Sequence, residues 1–219
     1  MTVNRLLPLS GIVFVVLAVV AVVAIGGDTP GTDASAAKVK SFYDANTWRQ
    51  AIAAFVLAAS VPFLVFFAAR LAEALAMNEA ASTRLWRRVL LAGSIVTGAV
   101  ILVTAAIHFA LADGGDQRDV SAAAVQAINV LDGNTWLAFN ASLGVMMLGV
   151  AGLVLPAAGR YGWLGWTALV LGIALFIPFA DFIALLLTLI WIIVVSALLF
   201  VGRLTPTPGV AITGGSAPR

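Results

Sequence analysis

The chain carries a single histidine, His108, in the stretch "VTAAIHFALADGGD", and no cysteine. A histidine within reach of a carboxylate is the smallest general acid–base unit a protein can offer. Asp113 follows five positions later and Asp132 opens the next apolar run, so His108 with either one is the first chemistry to consider. Helical spacing sets Ser94, Thr97, Gly98, Thr104 and His108 along one stripe. Asn140 lies about one turn inside the same end of the following run. His108, Thr104, Asn140, Asp113, Asp132 and Asn134 therefore outline an external pocket. The same residue types also serve as hydrogen-bonded links between helices, because polar groups at membrane depth are costly and turn inward.

Other chemistries are missing. The lack of cysteine removes disulfides and thiolate ligands. One histidine cannot make H-E-x-x-H or a bis-imidazole haem site, and no phosphate-binding or nucleophile-elbow motif occurs. No charged residue falls near the middle of an apolar run, so a midplane carboxylate relay is absent. The acidic loops match no EF-hand-like spacing. No metal and no cofactor is expected, and Met146 and Met147 read as packing residues.

The elements that must position these residues are apolar helices. Of 219 residues, 62% are hydrophobic and 10% charged, a balance no soluble domain shows. A membrane span takes about 20 apolar residues, and runs at 6–26, 50–70, 89–111, 137–157, 162–179 and 182–202 qualify. The first is too long for a signal-peptide core and no A-x-A site follows it, so it reads as a retained helix. The expected fold is an all-α, polytopic bundle of six transmembrane helices in three hairpins. It occupies residues 1–203, with hairpins at about 6–76, 89–158 and 162–202, and a disordered cytoplasmic tail over 204–219. With the N-terminus inside, eight Lys or Arg face the cytoplasm and four face out, and "RLWRR" beside the third run weighs most. Both termini are thus expected in the cytoplasm of a bacterial cell.

The first two hairpins share a loop. "GGDTPGTDASAAKVKSFYDANTW" begins at Gly26, and "GGDQRDVSAAAVQAINVLDGNTW" begins at Gly114, 88 residues later, with nine of 23 positions identical. This is a parallel internal repeat. In each copy Gly-Gly is expected to end the incoming helix. A short amphipathic helix would follow, lying on the outer surface with Val39, Phe42 and Tyr43, or Ala124, Ile128 and Leu131, facing down. Asp44, Asn46 and their counterparts would then cap the next helix, and Trp48 and Trp136 would anchor it among the headgroups. Eight glycines, from Gly93 to Gly172, are set for close helix approach. Pro62, Pro156 and Pro178 are set for kinks or ends.

The first run with "GGDTP…V…FY", and the closing pair of runs with "GWLGWTALVLG", resemble a group of six-span actinobacterial integral membrane proteins. The resemblance covers residues 5–203 and implies the six-span architecture. It brings no activity and no site residues. Three functions remain: a non-enzymatic bundle that binds, senses or scaffolds; a facilitator or exporter of small neutral or apolar molecules; and an outer-leaflet enzyme using His108 with a neighbouring aspartate. Membrane lipid is the expected partner, with a second copy or another membrane protein beside it. A net charge of +2 gives no reason to expect nucleic acid.

Overall fold

The structure is a computed structural model, described over residues 6–75, 81–157 and 161–204. Those residues are mostly helical, joined by short loops and turns, and contain no strand. We number the helices α1 (Leu7–Gly26), α2 (Ala36–Leu75), α3 (Ala81–Asp116), α4 (Ala122–Val154), α5 (Gly162–Ala174) and α6 (Asp181–Phe200). All but α5 are long and apolar enough to cross a membrane, which makes the chain a multi-pass membrane protein. At 13 residues, α5 spans about 20 Å against a hydrocarbon core of about 30 Å. The fifth expected span is thus a short helix, followed by a turn that reaches Ala180. The expected tail beyond Leu204 lies outside the described residues.

Helices α2, α3 and α4 contain 40, 36 and 33 residues. At 1.5 Å per residue, α2 is about 60 Å long, twice the core of a bilayer. The surplus turns of all three project at one end and enclose a small core of their own. Val39, Tyr43, Leu111 and Val125 are buried there, ringed by Phe42, Val120 and Ile128. The main core lies beneath it, around Phe14, Leu64, Phe67, Leu90, Met146 and Ile192. Within that core α3 and α4 touch backbone to backbone. A Cβ on Gly93 would come 2.5 Å from the Met146 amide nitrogen, and one on Gly149 would come 2.4 Å from that of Leu90.

The short helix expected in the second loop is the opening stretch of one long helix, α4. In the first loop it is a helix of its own that meets the following span across a kink at Asn46, within α2. In both copies the Asn and Thr of D-x-N-T-W reach backward. Asn46 Nδ2 donates to the Phe42 carbonyl at 2.8 Å, and Thr47 Oγ1 donates to that of Tyr43 at 2.9 Å. Asn134 Nδ2 donates to Val130 O, and Thr135 Oγ1 to Asp132 O. An N-cap accepts from amides ahead of it; these side chains donate to carbonyls behind. Among the described residues Asp44 and Asn46 make no capping bond to an amide ahead of them, although Asn46 stands at the boundary between the two parts of α2. The first copy breaks its helical geometry at Asn46, with φ −125° and ψ 16°, and α2 continues through Pro62 with helical backbone angles.

The buried face of the second copy also differs from expectation. Ala124 and Leu131 are exposed, whereas Val125 and Asn129 are buried. Gly-Gly diverges in the same way. Gly27 ends α1 with φ +64° and its amide bonds Val22 O, a conformation glycine adopts without steric cost. Gly114 and Gly115 instead stay inside α3. A Cβ on Gly115 would fall 2.5 Å from Tyr43 Cβ and 2.8 Å from the Asp44 amide nitrogen, while on Gly114 the nearest atom is 3.9 Å away. Gly115→Ala is therefore expected to destabilise by about 1–3 kcal/mol, and Gly114→Ala to be neutral or slightly stabilising. Thermal unfolding of both variants in detergent measures this, and equal midpoints would remove the close α2–α3 contact.

Candidate functional site

The site begins where α1 ends. Its last seven residues, Val20–Gly26, form a π-helix, whose wider turn is a frequent mark of functional positions. The Gly26 carbonyl is taken up by α2: Gln50 Nε2 donates to it at 2.8 Å and Arg49 Nη2 at 3.1 Å. Gln50 is fully buried.

A carbonyl can only accept, so the direction of the next bond is fixed. Gln50 gives its NH2 to Gly26 and turns Oε1 toward His108 Nε2, 2.7 Å away. Nε2 therefore donates. On the other side of the ring, Nδ1 meets Asp132 Oδ2 at 3.3 Å. Against a carboxylate oxygen, that contact is attractive only when a proton lies between the two atoms. His108 and Asp132 are 14% and 17% exposed at their side chains, so water competes little. The Tyr43 ring stands edge-on to the imidazole with centroids 6.1 Å apart. Its hydroxyl donates to Asn129 Oδ1 at 3.4 Å.

Above this chain of bonds the two loops brace each other. Asn129 Nδ2 lies 3.3 Å from the carbonyls of both Pro30 and Gly31, and Gln126 Nε2 donates to Thr32 O. In return Lys40 Nζ donates to the carbonyls of Gln117 and Val120. Side chains of α4 thus satisfy the first loop, and a side chain of α2 satisfies the second.

Of the residues that outlined a pocket, only His108 and Asp132 meet. Asn140 belongs to another cluster, where its Nδ2 and Trp136 Nε1 donate to Asp181 Oδ2 at 3.1 and 2.6 Å. Asp181 Oδ1 accepts from the Phe182 amide, which starts α6. Trp136 is thereby a link between α4 and α6 and is stacked on Phe182; Trp48, 82% exposed, is free to anchor. Asp113 accepts from Gln117 in an exposed contact. Asn134 bonds its own helix, and Thr104, half-buried one turn below His108, stays out of the histidine's hydrogen bonds. Buried Ser94 and Thr97 bond carbonyls of their own helix.

Two residues escaped sequence reasoning. Gln50 is the only amide in the second apolar run, and Asp181, between the last two runs, is the only acid from 162 to 202. An isolated polar residue in apolar sequence was the available signal for each. No family model, no curated protein and no solved structure matches this chain.

Chemically the arrangement is a hydrogen-bond chain from the Gly26 carbonyl through Gln50 and His108 to Asp132, whose Oδ1 is buried without a partner among the described residues. Gln50→Leu leaves His108 Nε2 and Gly26 O without their main partner, at about 1–3 kcal/mol for each buried orphan. Combined with His108→Leu, the loss should fall short of the sum of the singles by about 0.5–3 kcal/mol. Strictly additive losses in thermal unfolding would mean that this bond contributes nothing. In the second cluster, Asp181→Ala should lower the midpoint more than Trp136→Phe, since it orphans two donors and not one acceptor. The reverse order would remove Asp181 as the hub.

Proposed function

We propose that this chain is a six-span protein of the bacterial plasma membrane, of the kind its sequence resembles, that binds or scaffolds and does not catalyse. Both termini lie in the cytoplasm and the cap of α2, α3 and α4 faces out. The excess of Lys and Arg at the opposite end, led by Arg84, Arg87 and Arg88, supports that orientation. The repeated loops support descent of α1–α2 and α3–α4 from one duplicated hairpin.

The observation that carries the reading is the engagement of His108. One ring nitrogen is held by Gln50 and the other by Asp132, while the Tyr43 hydroxyl is held by Asn129. A general base must present a free lone pair to its substrate. Here each polar atom of the ring is spent on joining α2, α3 and α4 under a cap. Such a clamp suits a module that holds its outer surface in one shape. The enzyme reading draws on the same His108–Asp132 contact, and requires that one ring nitrogen release its partner when substrate arrives.

The native chain is already free of cysteine. Single cysteines at Asp33, Thr104, Arg87 and Asn140 would be treated in intact cells with a membrane-impermeant maleimide. Label is expected at position 33, at position 87 only after permeabilisation, and at 104 and 140 only after denaturation. Label at 87 in intact cells inverts the topology. Label at 104 in the folded protein, together with loss of lipid turnover in a folded His108→Ala variant, would replace binding by catalysis.

A further inference from the structure

Helices α2 and α3 line two concavities, one mostly polar and one apolar. One, about 280 Å³, is a polar cup lined by Asp44, Asn46, Trp48 and Arg49 of α2 and by Asp116 of α3. The other, about 240 Å³, is an apolar groove further along the same two helices. Alanines Ala54, Ala58, Ala105 and Ala106 line it, and Phe55 and Phe109, edge to face at 5.5 Å, wall it. The cup lies where α2 breaks its geometry at Asn46. The counterpart Asn134 makes the same backward bond inside a helix with no such break.

The order of groups along the α2–α3 seam is specific. The groove starts at Ala54, Arg49 lies about 7.5 Å further out, and Asp44 lies beyond it across the break at Asn46. Asp116 stands about 10 Å outward of Phe109 on the facing helix. From the membrane outward the seam thus reads apolar, cation, two anions. Arg49 gives one N–H to Gly26 and keeps other donors of its fork. Asp44 and Asp116 are exposed and make no ion pair among the described residues. A phospholipid whose head ends in an ammonium reads in the complementary order: chain, phosphate, amine. Trp48, exposed beside the cup, marks the level at which headgroups lie.

We infer that this seam is a binding site for one outer-leaflet phospholipid with a primary-ammonium head, of the phosphoethanolamine class. The acyl chain lies on the alanine floor, the phosphate meets Arg49, and the ammonium donates to Asp44 and Asp116. A primary amine fits better than a quaternary one because carboxylates accept its hydrogens. The site deepens the binding reading above and rests on the outward orientation of the cap.

The test is native mass spectrometry of the delipidated, detergent-solubilised chain titrated with dioleoyl phosphatidylethanolamine or dioleoyl phosphatidylglycerol. One ethanolamine lipid should bind on the order of tenfold tighter than the glycerol lipid, the loss of charge-assisted bonds setting the ratio. Asp44→Asn with Asp116→Asn, both exposed, should erase that preference without changing the unfolding midpoint of the lipid-free protein. Ala58→Leu, which fills the groove, should weaken both lipids. Equal affinities in the wild type, or a preference that survives the double variant, overturns the proposal. Detergent opens both faces, so failure here leaves the topology, tested by labelling in cells, standing.

Discussion

The Gly26 carbonyl sets the hydrogen-bond direction of the capped end of the bundle. Ending α1 in a π-type turn gives this oxygen to a neighbouring helix, and an acceptor at the end of a chain of bonds dictates every donor after it. Gln50 must present its NH2 inward and its oxygen to His108; His108 must present Nε2–H to Gln50 and Nδ1 to Asp132. Four helices contribute one link each. In a membrane an unsatisfied polar group costs several kcal/mol, so the four are held as a unit. Its members cannot reorient singly without orphaning a neighbour.

The cap follows from that unit. With the ends of α1 to α4 tied at one level, the surplus turns of α2 and α4 rise together and can enclose Val39, Tyr43, Leu111 and Val125. The loops then cross-brace through Lys40, Gln126 and Asn129. Those bonds supply partners to carbonyls that a bare loop would leave to water. Asp181 has the parallel role nearer the main core. It fastens the start of α6 to α4 through Trp136 and Asn140, and leaves Asn140 Oδ1 buried without a partner among the described residues.

The bundle itself is legible from composition and length, because twenty apolar residues admit few alternatives to a helix in lipid. The inward face of His108 is legible too, since periodicity places a residue on a face. Periodicity does not say which residue of another helix comes to meet it. Gln50 comes from the first hairpin, which pattern reasoning sets aside because Val20 and Ile52 stand where the second has His108 and Asn140. The second amphipathic face misleads for a related reason. Counting apolar positions alone favours Ala124 and Leu131, yet the face that packs carries Asn129 and Asp132, whose burial is sustained by Tyr43 and His108. A buried polar stripe looks like a solvent face until its partners are known.

The repeat shows how little a shared motif constrains its surroundings. Gly-Gly is a helix end in one copy and a packing contact in the other, because Gly115 meets Tyr43 and Gly27 meets the turn into a loop. Asn and Thr of D-x-N-T-W patch carbonyls in both copies, but only α2 departs from helical geometry, at Asn46. Two long helices thus carry the same motif and both hold His108, through Gln50 of α2 and Asp132 of α4, while the break at Asn46 sets α2 alone apart in its backbone path.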